Sequence, residues 1–284
     1  MKKQIRNPED FEIASKECAG VRRVSALLNR LYPAVTRFPG KCVCCGKWRF
    51  FQNDLLYGGT EHPSCQINFR ERMVCPVCNL NNRMRSTFQV ILREMKRYSK
   101  GDLLIYEAVT PFYTLLEKKC REKEWRITGT EYFGDSCQSG TFVNGIRHED
   151  ATSLSFEDES FDIIVSNEVF EHIPVVAPAI NEMFRVLRPG GTVIFTIPID
   201  PHFKKSLQRA KIENGEIFHL LEPEIHGNPV DANGSLAFWT LGWDILDLMK
   251  EAGFSDSYAE PAVNFIYGNI QPWPHLIFLG YKSK

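Results

Sequence analysis

The sequence predicts a doubly wound α/β fold following a separate cysteine-rich module. Three observations carry this. From residue 101 onward, apolar runs such as LLIY, FDIIVSN and TVIFTIPI alternate with helix-length stretches, the pattern of a parallel sheet buried on both faces. Six of the nine cysteines lie between Cys42 and Cys78. At 284 residues, 43% hydrophobic and 24% charged, the chain can bury one large core plus a small satellite domain.

Residues 1–35 are expected to be a helical segment. The opening MKKQIRNPEDFEIASKE has two lysines but no apolar run behind them, so it does not resemble a secretory signal. The longest apolar runs, such as TVIFTIPI, are too short to span a bilayer. A cytoplasmic protein with no membrane span is therefore expected.

Residues 36–100 are expected to form a metal-holding module and a basic helix. Cys42/Cys45 and Cys75/Cys78 are two Cys-x2-Cys pairs separated by 29 residues. Each pair can point two thiolates at one place, and two such knuckles complete the tetrahedral sulfur set that suits a structural Zn2+. Gly46 and Pro76 sit where such turns favour them. Cys44 and Cys65 are left as spare thiols, with Cys65 or His62 the substitute ligand. Paired disulfides are disfavoured in a reducing compartment, and a redox Cys-x2-Cys site lacks its usual βαβ context. With four thiolates bound, the metal has no open position and does no chemistry.

After the second knuckle, NLNNRMRSTFQVILREMKRYSKG reads as a helix with Met84, Phe88, Ile91, Leu92 and Met95 on one face. Arg83, Arg85, Arg93, Lys96 and Arg97 occupy other positions. They are either a solvated face or an electrostatic footprint for RNA or another phosphate-bearing partner. Residues 1–100 hold 19 basic and 8 acidic residues against 15 and 27 in the remainder, so a net charge of -1 conceals halves of +11 and -12. Such halves either attract each other or a charged partner.

From residue 101, LLIY ends at Glu107 and runs into a helix without the glycines of a dinucleotide turn: Ala108, Val109, Thr110 and Pro111 follow. A second strand, RITGTEY, ends near Glu131. A third lies near GIRHED, and a fourth, FDIIVSN, ends at Asn167 and Glu168. A helix at APAINEMFRVLR is expected to stop at Pro189, Gly190 and Gly191 before TVIFTIPI. TLGWDILDLMKEAGF reads as a last helix and HLIFLGYK as a last strand. The segment between, residues 199 to about 239, is too long for a plain connection and is expected to be a lid.

The stretch HEDATSLSFEDESFDIIVSNEVFEHIPVVAPAINEMFRVLRPGGTVIFTIP resembles the class I S-adenosylmethionine-dependent methyltransferases, of the type 11-like branch. CPVCNLNNRMR is similar to zinc-ribbon-like extensions on some bacterial members. The resemblance covers residues 101–284 and implies a mostly parallel seven-stranded, Rossmann-like sheet with the cofactor across its carboxyl edge. It implies that Glu107 holds the methionine portion of S-adenosylmethionine, Glu131 the ribose hydroxyls and Asp150 the adenine amino group. Asn167 and Glu168 would line the methionine and the methyl. Because S-adenosylmethionine has no phosphate, small Ala108 could replace the missing glycines. Thr110 as N-cap and Pro111 at the first helical position would leave backbone N–H groups aimed at the cofactor's carboxylate.

Methyl transfer needs in-line placement of the acceptor, and a base where the acceptor must lose a proton. His226 in PEIHGNP, His172 after Glu171, and then His202 are the candidates. The activity implied is methyl transfer (EC 2.1.1.-) to a small molecule such as a sugar, lipid-linked saccharide or natural product. The alternatives are an RNA or other macromolecular acceptor guided by the basic module, and an inactive scaffold.

Overall fold

A computed structural model describes residues 4–58 and 66–284. His62 and Cys65, the substitute zinc ligands, lie outside the described residues. The chain divides into two compact units: Met1–Ile5, Glu9–Arg93 and Ala259–Ile277 form one, and Arg6–Pro8, Glu94–Tyr258 and Phe278–Lys284 the other.

The first unit holds helices α1 (Pro8–Glu17) and α2 (Ala19–Leu31), strands β1 (Arg37–Lys41) and β2 (Trp48–Gln52), and most of α3 (Asn82–Glu94). β1 and β2 pair antiparallel, with Phe38 opposite Phe51, and carry the first cysteine knuckle at their turn. Phe51, Met73, Phe88 and Ile91 are fully buried. A backbone bridge ties Ile5 to Ala259.

The second unit is built on β3 (Asp102–Ile105), α4 (Pro111–Glu122), β4 (Arg126–Glu131), β5 (Phe142–Val143), β6 (Ile146–His148), β7 (Phe161–Asn167), α5 (Val176–Val186) and β8 (Leu187–Thr196). Residues 207–240 add six short strands: β9 (Leu207–Gln208), β10 (Ala210–Glu213), β11 (Glu216–His219), β12 (Ile225–Asn228), β13 (Asp231–Leu236) and β14 (Trp239–Thr240). Then follow α6 (Ile245–Ala252), the Asp256–Tyr258 part of β15 (Asp256–Ala262) and the Phe278–Tyr281 part of β16 (His275–Tyr281). The main sheet has the order β15-β16-β8-β7-β3-β4-β6-β5. Its β8-β7-β3-β4-β6 section is parallel, while β16 pairs antiparallel to β8 and β5 to β6. The sheet has eight strands rather than seven, because Asn144 and Gly145, both at positive φ, fold Phe142–Val143 back as an extra edge.

β3 leads through α4 to β4 on one side, and β7 leads through α5 to β8 on the other. Right-handed crossovers running in opposite directions place the two helices on opposite faces. The winding therefore reverses between β3 and β7, whose residues pair as Leu103 with Ile163 and Ile105 with Val165. Every one of these side chains is fully buried, as are Leu104, Ile164, Val193 and Ile194. α5 ends at Val186, earlier than the PGG stop, and strand geometry starts at Leu187. The Pro189-Gly190-Gly191 segment sits inside a register shift of β8 against β7. No helix is long and apolar enough to cross a membrane among the described residues.

Candidate functional site

Ligands of open α/β sheets sit at the carboxyl ends of the strands, where the winding reverses. Here that crevice lies beyond β3 and β7. The buried Glu107 carboxylate spans it: Oε1 accepts from Asn167 Nδ2 at 2.5 Å, and Oε2 accepts from the Thr110 hydroxyl. Thr110 caps α4, its hydroxyl oxygen accepting from Tyr113 N at 3.1 Å, with Pro111 behind it. Thr110→Ala removes the cap and the bond to Glu107 together. It is expected to lower stability by about 1 kcal/mol in urea unfolding, with Thr110→Ser restoring most of it.

The glycine-free turn is organised by its neighbour strand. Glu131 Oε1 accepts from Ala108 N at 2.7 Å and Val109 N at 3.2 Å. These N–H groups therefore face Glu131, since a half-buried carboxylate takes the nearest donors. Burial pushes the Glu131 carboxyl up, and the two N–H groups oppose that. The glycine that permits close approach is on β4: a Cβ at Gly129 would lie 2.9 Å from Glu107 O and 2.4 Å from the Tyr113 ring. A glycine inside a strand was the available signal.

Asp150 Oδ1 accepts from both the backbone N and the hydroxyl of Thr152 at 2.8 Å. Glu168 stands at φ 53, its N–H donating to Thr196 O at 2.9 Å. Around these strand ends, Tyr106 OH, His148 Nε2, Asn167 Oδ1 and Thr196 Oγ1 are buried without a hydrogen-bond partner. Buried polar atoms are normally satisfied, so this concentration fits a site completed by a polar ligand. Tyr106 and Thr196 escaped the sequence reading because each is a lone polar residue in an apolar run, and His148 because it stands among the charged residues of RHED.

The structure brings His226 and His172 together but not His202, which is exposed. Their rings cross edge to face at 4.9 Å, and both meet Glu171, whose side chain has no exposure. His172 Nε2 and His226 Nδ1 each lie 3.6 Å from Glu171 Oε1. Burial pushes the Glu171 carboxyl up. The Glu171 carboxylate, with Glu224 behind it, pushes the His226 imidazole up to about 9. The insert is tied to this segment: Phe238 N donates to Glu171 O at 2.7 Å, and Trp239 Nε1 donates to Ile173 O and Pro174 O at 3.1 Å.

In the other unit, the ligand atoms of Cys42, Cys45, Cys75 and Cys78 all lie within 4.8 Å of one another. The Cys42–Cys78 and Cys45–Cys75 sulfur separations are 3.8 and 3.9 Å. A tetrahedron with about 2.3 Å metal–sulfur bonds has edges of about 3.8 Å, so the four thiols fit Zn2+. The knuckles are built alike. Cys42 N donates to Lys47 O and Cys75 N to Leu80 O, while Gly46 and Asn79 take the left-handed position at φ 71 and 57. Cys44 is buried beside them, and burial pushes its thiol up.

Four of the five basic residues between 82 and 97 bond within the protein, while Lys96 and much of Arg97 stay exposed. Arg83 grips Glu71 at 2.8 and 3.1 Å, and Arg93 holds both oxygens of Glu260 at 2.9 and 2.7 Å. Arg85 is fully buried 3.7 Å above the Phe51 ring, donating to Met73 O and Tyr267 O. Arg97 donates to Glu94 and Thr192. Of the five, Lys96 alone has no such bond. The helix is amphipathic, but its arginines reach inward because long side chains bring their charge to buried carboxylates and carbonyls.

Residues 113–195 match the family described as a methyltransferase domain. Demethylmenaquinone methyltransferase of Staphylococcus haemolyticus is 30% identical over 105 residues, covering 34% of this chain and 44% of that protein. Phthiotriol/phenolphthiotriol dimycocerosates methyltransferase 1 of Mycobacterium ulcerans is 44% identical over 89 residues, covering 31% of each chain. The chain spans less than half the length of these curated relatives. A solved S-adenosylmethionine-dependent methyltransferase from Methanosarcina mazei aligns with TM-score 0.42 at 15% identity, covering 68% of this chain and 97% of that one. The matched segment runs from within α4 through β7 to β8; it holds the β7 side of the crevice, whereas β3 and Glu107 precede it. Residues 113–195 thus match the methyltransferase-domain family, and they lie within a doubly wound, mostly parallel sheet.

Proposed function

We propose that the chain is an S-adenosylmethionine-dependent methyltransferase acting on a small-molecule acceptor, with a structural Zn2+ on Cys42, Cys45, Cys75 and Cys78. The observation that carries the transferase reading is the Glu107–Asn167 bond across the point where the winding reverses, with Glu131 beside it. S-adenosylmethionine would supply a methyl group activated on a sulfonium, ready for in-line displacement. Glu107, Asn167 and Glu168 would hold its methionine end. The second Glu131 oxygen would take the ribose hydroxyls, and Asp150 the adenine amino group. His226 and His172, the candidate bases, would orient the acceptor.

The small-molecule reading draws support from the insert, which folds as two hairpins bonded to the segment after β7 and so can enclose an acceptor. The two curated relatives above are named for non-polymeric acceptors. A sugar, lipid-linked saccharide or natural product fits this reading. Calorimetric titration tests the cofactor. Glu131→Ala should weaken S-adenosylmethionine by about 1.5 to 3 kcal/mol, roughly tenfold to a hundredfold, since it removes a charged acceptor. A wild-type protein that binds no S-adenosylmethionine would overturn the transferase reading in favour of a scaffold.

A further inference from the structure

The Glu171 cluster contains a contradiction that hydrogen bonds among its own members do not resolve. Glu171 has no side-chain exposure, and neither carboxylate oxygen makes a hydrogen bond. The two histidines nearest to it already use their outward nitrogens. His172 Nδ1 lies 2.9 Å from Leu236 O, and His226 Nε2 lies 3.0 Å from Glu224 Oε1. A backbone carbonyl only accepts, so His172 Nδ1 carries the proton and Nε2 is left with a lone pair. When His226 is in its neutral form, the Glu224 carboxylate by the same logic holds its proton on Nε2, leaving a lone pair at Nδ1.

In that state the inward nitrogens, His172 Nε2 and His226 Nδ1, present lone pairs to a buried carboxylate oxygen 3.6 Å away. Three electron-rich atoms facing one another around a carboxylate with no exposure repel unless a cation or a proton lies among them. The separations fit one. Metal–nitrogen and metal–oxygen bonds of about 2.1 Å give ligand edges of about 3.0 to 3.5 Å, close to the 3.6 Å found here, and all three donor atoms lie within 4.8 Å of one another. The outer partners are also those of metal ligands: imidazoles whose second nitrogen donates to a carboxylate or a carbonyl.

We infer that Glu171, His172 and His226 form a second metal site, distinct from the four cysteines, that binds a first-row divalent transition metal. Two imidazoles and one carboxylate favour such an ion over Mg2+ or Ca2+, which prefer all-oxygen sets. Three protein ligands leave open positions. Glu171 follows β7 by only four residues, at the same end of the sheet as Asn167. If the transferase reading holds, on which this role rests, an open position would take an oxygen of the acceptor, selecting molecules with a hydroxyl to be methylated. The site itself does not depend on that reading.

The test uses the full chain with the cysteine site loaded with zinc, dialysed against cobalt(II). About one cobalt per chain is expected, with the visible bands of a nitrogen and oxygen ligand field and no thiolate-to-cobalt charge transfer. Glu171→Gln and His226→Ala should each weaken cobalt at least tenfold, and Glu224→Gln, which removes an outer support, by about tenfold. Circular dichroism melting monitors folding. Should Glu171→Gln fail to fold, His226→Ala carries the test, because it changes a half-buried side chain on a hairpin. No cobalt uptake, uptake undiminished in His226→Ala, or uptake with thiolate charge transfer would overturn the inference and leave a His226 imidazolium as the cation that faces Glu171. Calorimetry with S-adenosylmethionine on the same preparations separates the two ideas. Cofactor binding without cobalt sinks only the metal site, and cobalt binding without cofactor sinks only the transferase reading.

Discussion

Replacing Cys42 or Cys78 with serine is expected to remove about one zinc per chain and to unfold the cysteine-bearing unit. The β1–β2 turn and the Pro76 turn are held in place by short backbone bonds and by their sulfurs, which converge from segments 30 and 36 residues apart in sequence. Structural zinc in small modules contributes roughly 10 to 16 kcal/mol of apparent binding free energy, as much as the whole net stability of a typical domain. The loss should appear in metal analysis and as a collapse of the circular dichroism melt. Cys44→Ser, which changes a spare thiol, should keep the metal. A native protein that is fully folded and free of metal would refute the zinc assignment.

The second large effect is at His226. His226→Ala is expected to lower turnover by about a hundredfold or more, the usual scale for losing a positioned acid, base or ligand, while calorimetric affinity for S-adenosylmethionine stays within about twofold. That separation is expected because His226 comes from the hairpin insert, whereas the residues assigned to the cofactor come from the ends of β3, β4 and β7 and the loop after β6. Lys96→Ala, an exposed change away from both groups, should leave turnover intact. If His226→Ala turned over normally, the acceptor would have to sit elsewhere. Salt-sensitive RNA binding that Lys96→Ala weakens would instead favour a polynucleotide acceptor.

The sheet was legible because its strands are continuous apolar runs and its helices have punctuated ends. Period and breakers are local signals that survive without a structure. The convergence of Cys42, Cys45, Cys75 and Cys78 was legible for the same reason: Cys-x2-Cys spacing is a local constraint on turns. The arginines of α3 were not. Sequence shows that Arg85 is charged and lies on a helix, but its place above Phe51, with its guanidinium donating to two carbonyls, depends on segments far away in the chain. The +11 and -12 halves were open between mutual attraction and an outside partner. Arg83, Arg85, Arg93 and Arg97 turn out to be spent on internal carboxylates and carbonyls. The turn after Glu107 was half legible. Its cap could be read from Thr110 and Pro111, whereas the role of Glu131 in holding Ala108 and Val109 required knowing that β4 lies beside β3. Glu224 stayed hidden because an acidic residue in an exposed loop carries no pattern.

The two-residue clasp of β9 with β14, Leu207 opposite Thr240 and Gln208 opposite Trp239, closes the neck of the insert. Everything from Arg209 to Phe238 is outboard of it, so the sheet encounters the insert as a single closed loop whatever its contents. Closing a longer loop costs little, about 0.6 kcal/mol for each doubling of length. Hairpins could therefore be lengthened, shortened or exchanged at that neck with small consequence for the stability of the sheet. Acceptor preference can thus drift as a cassette, provided each replacement returns a residue to the place of His226 and a carbonyl to that of Leu236.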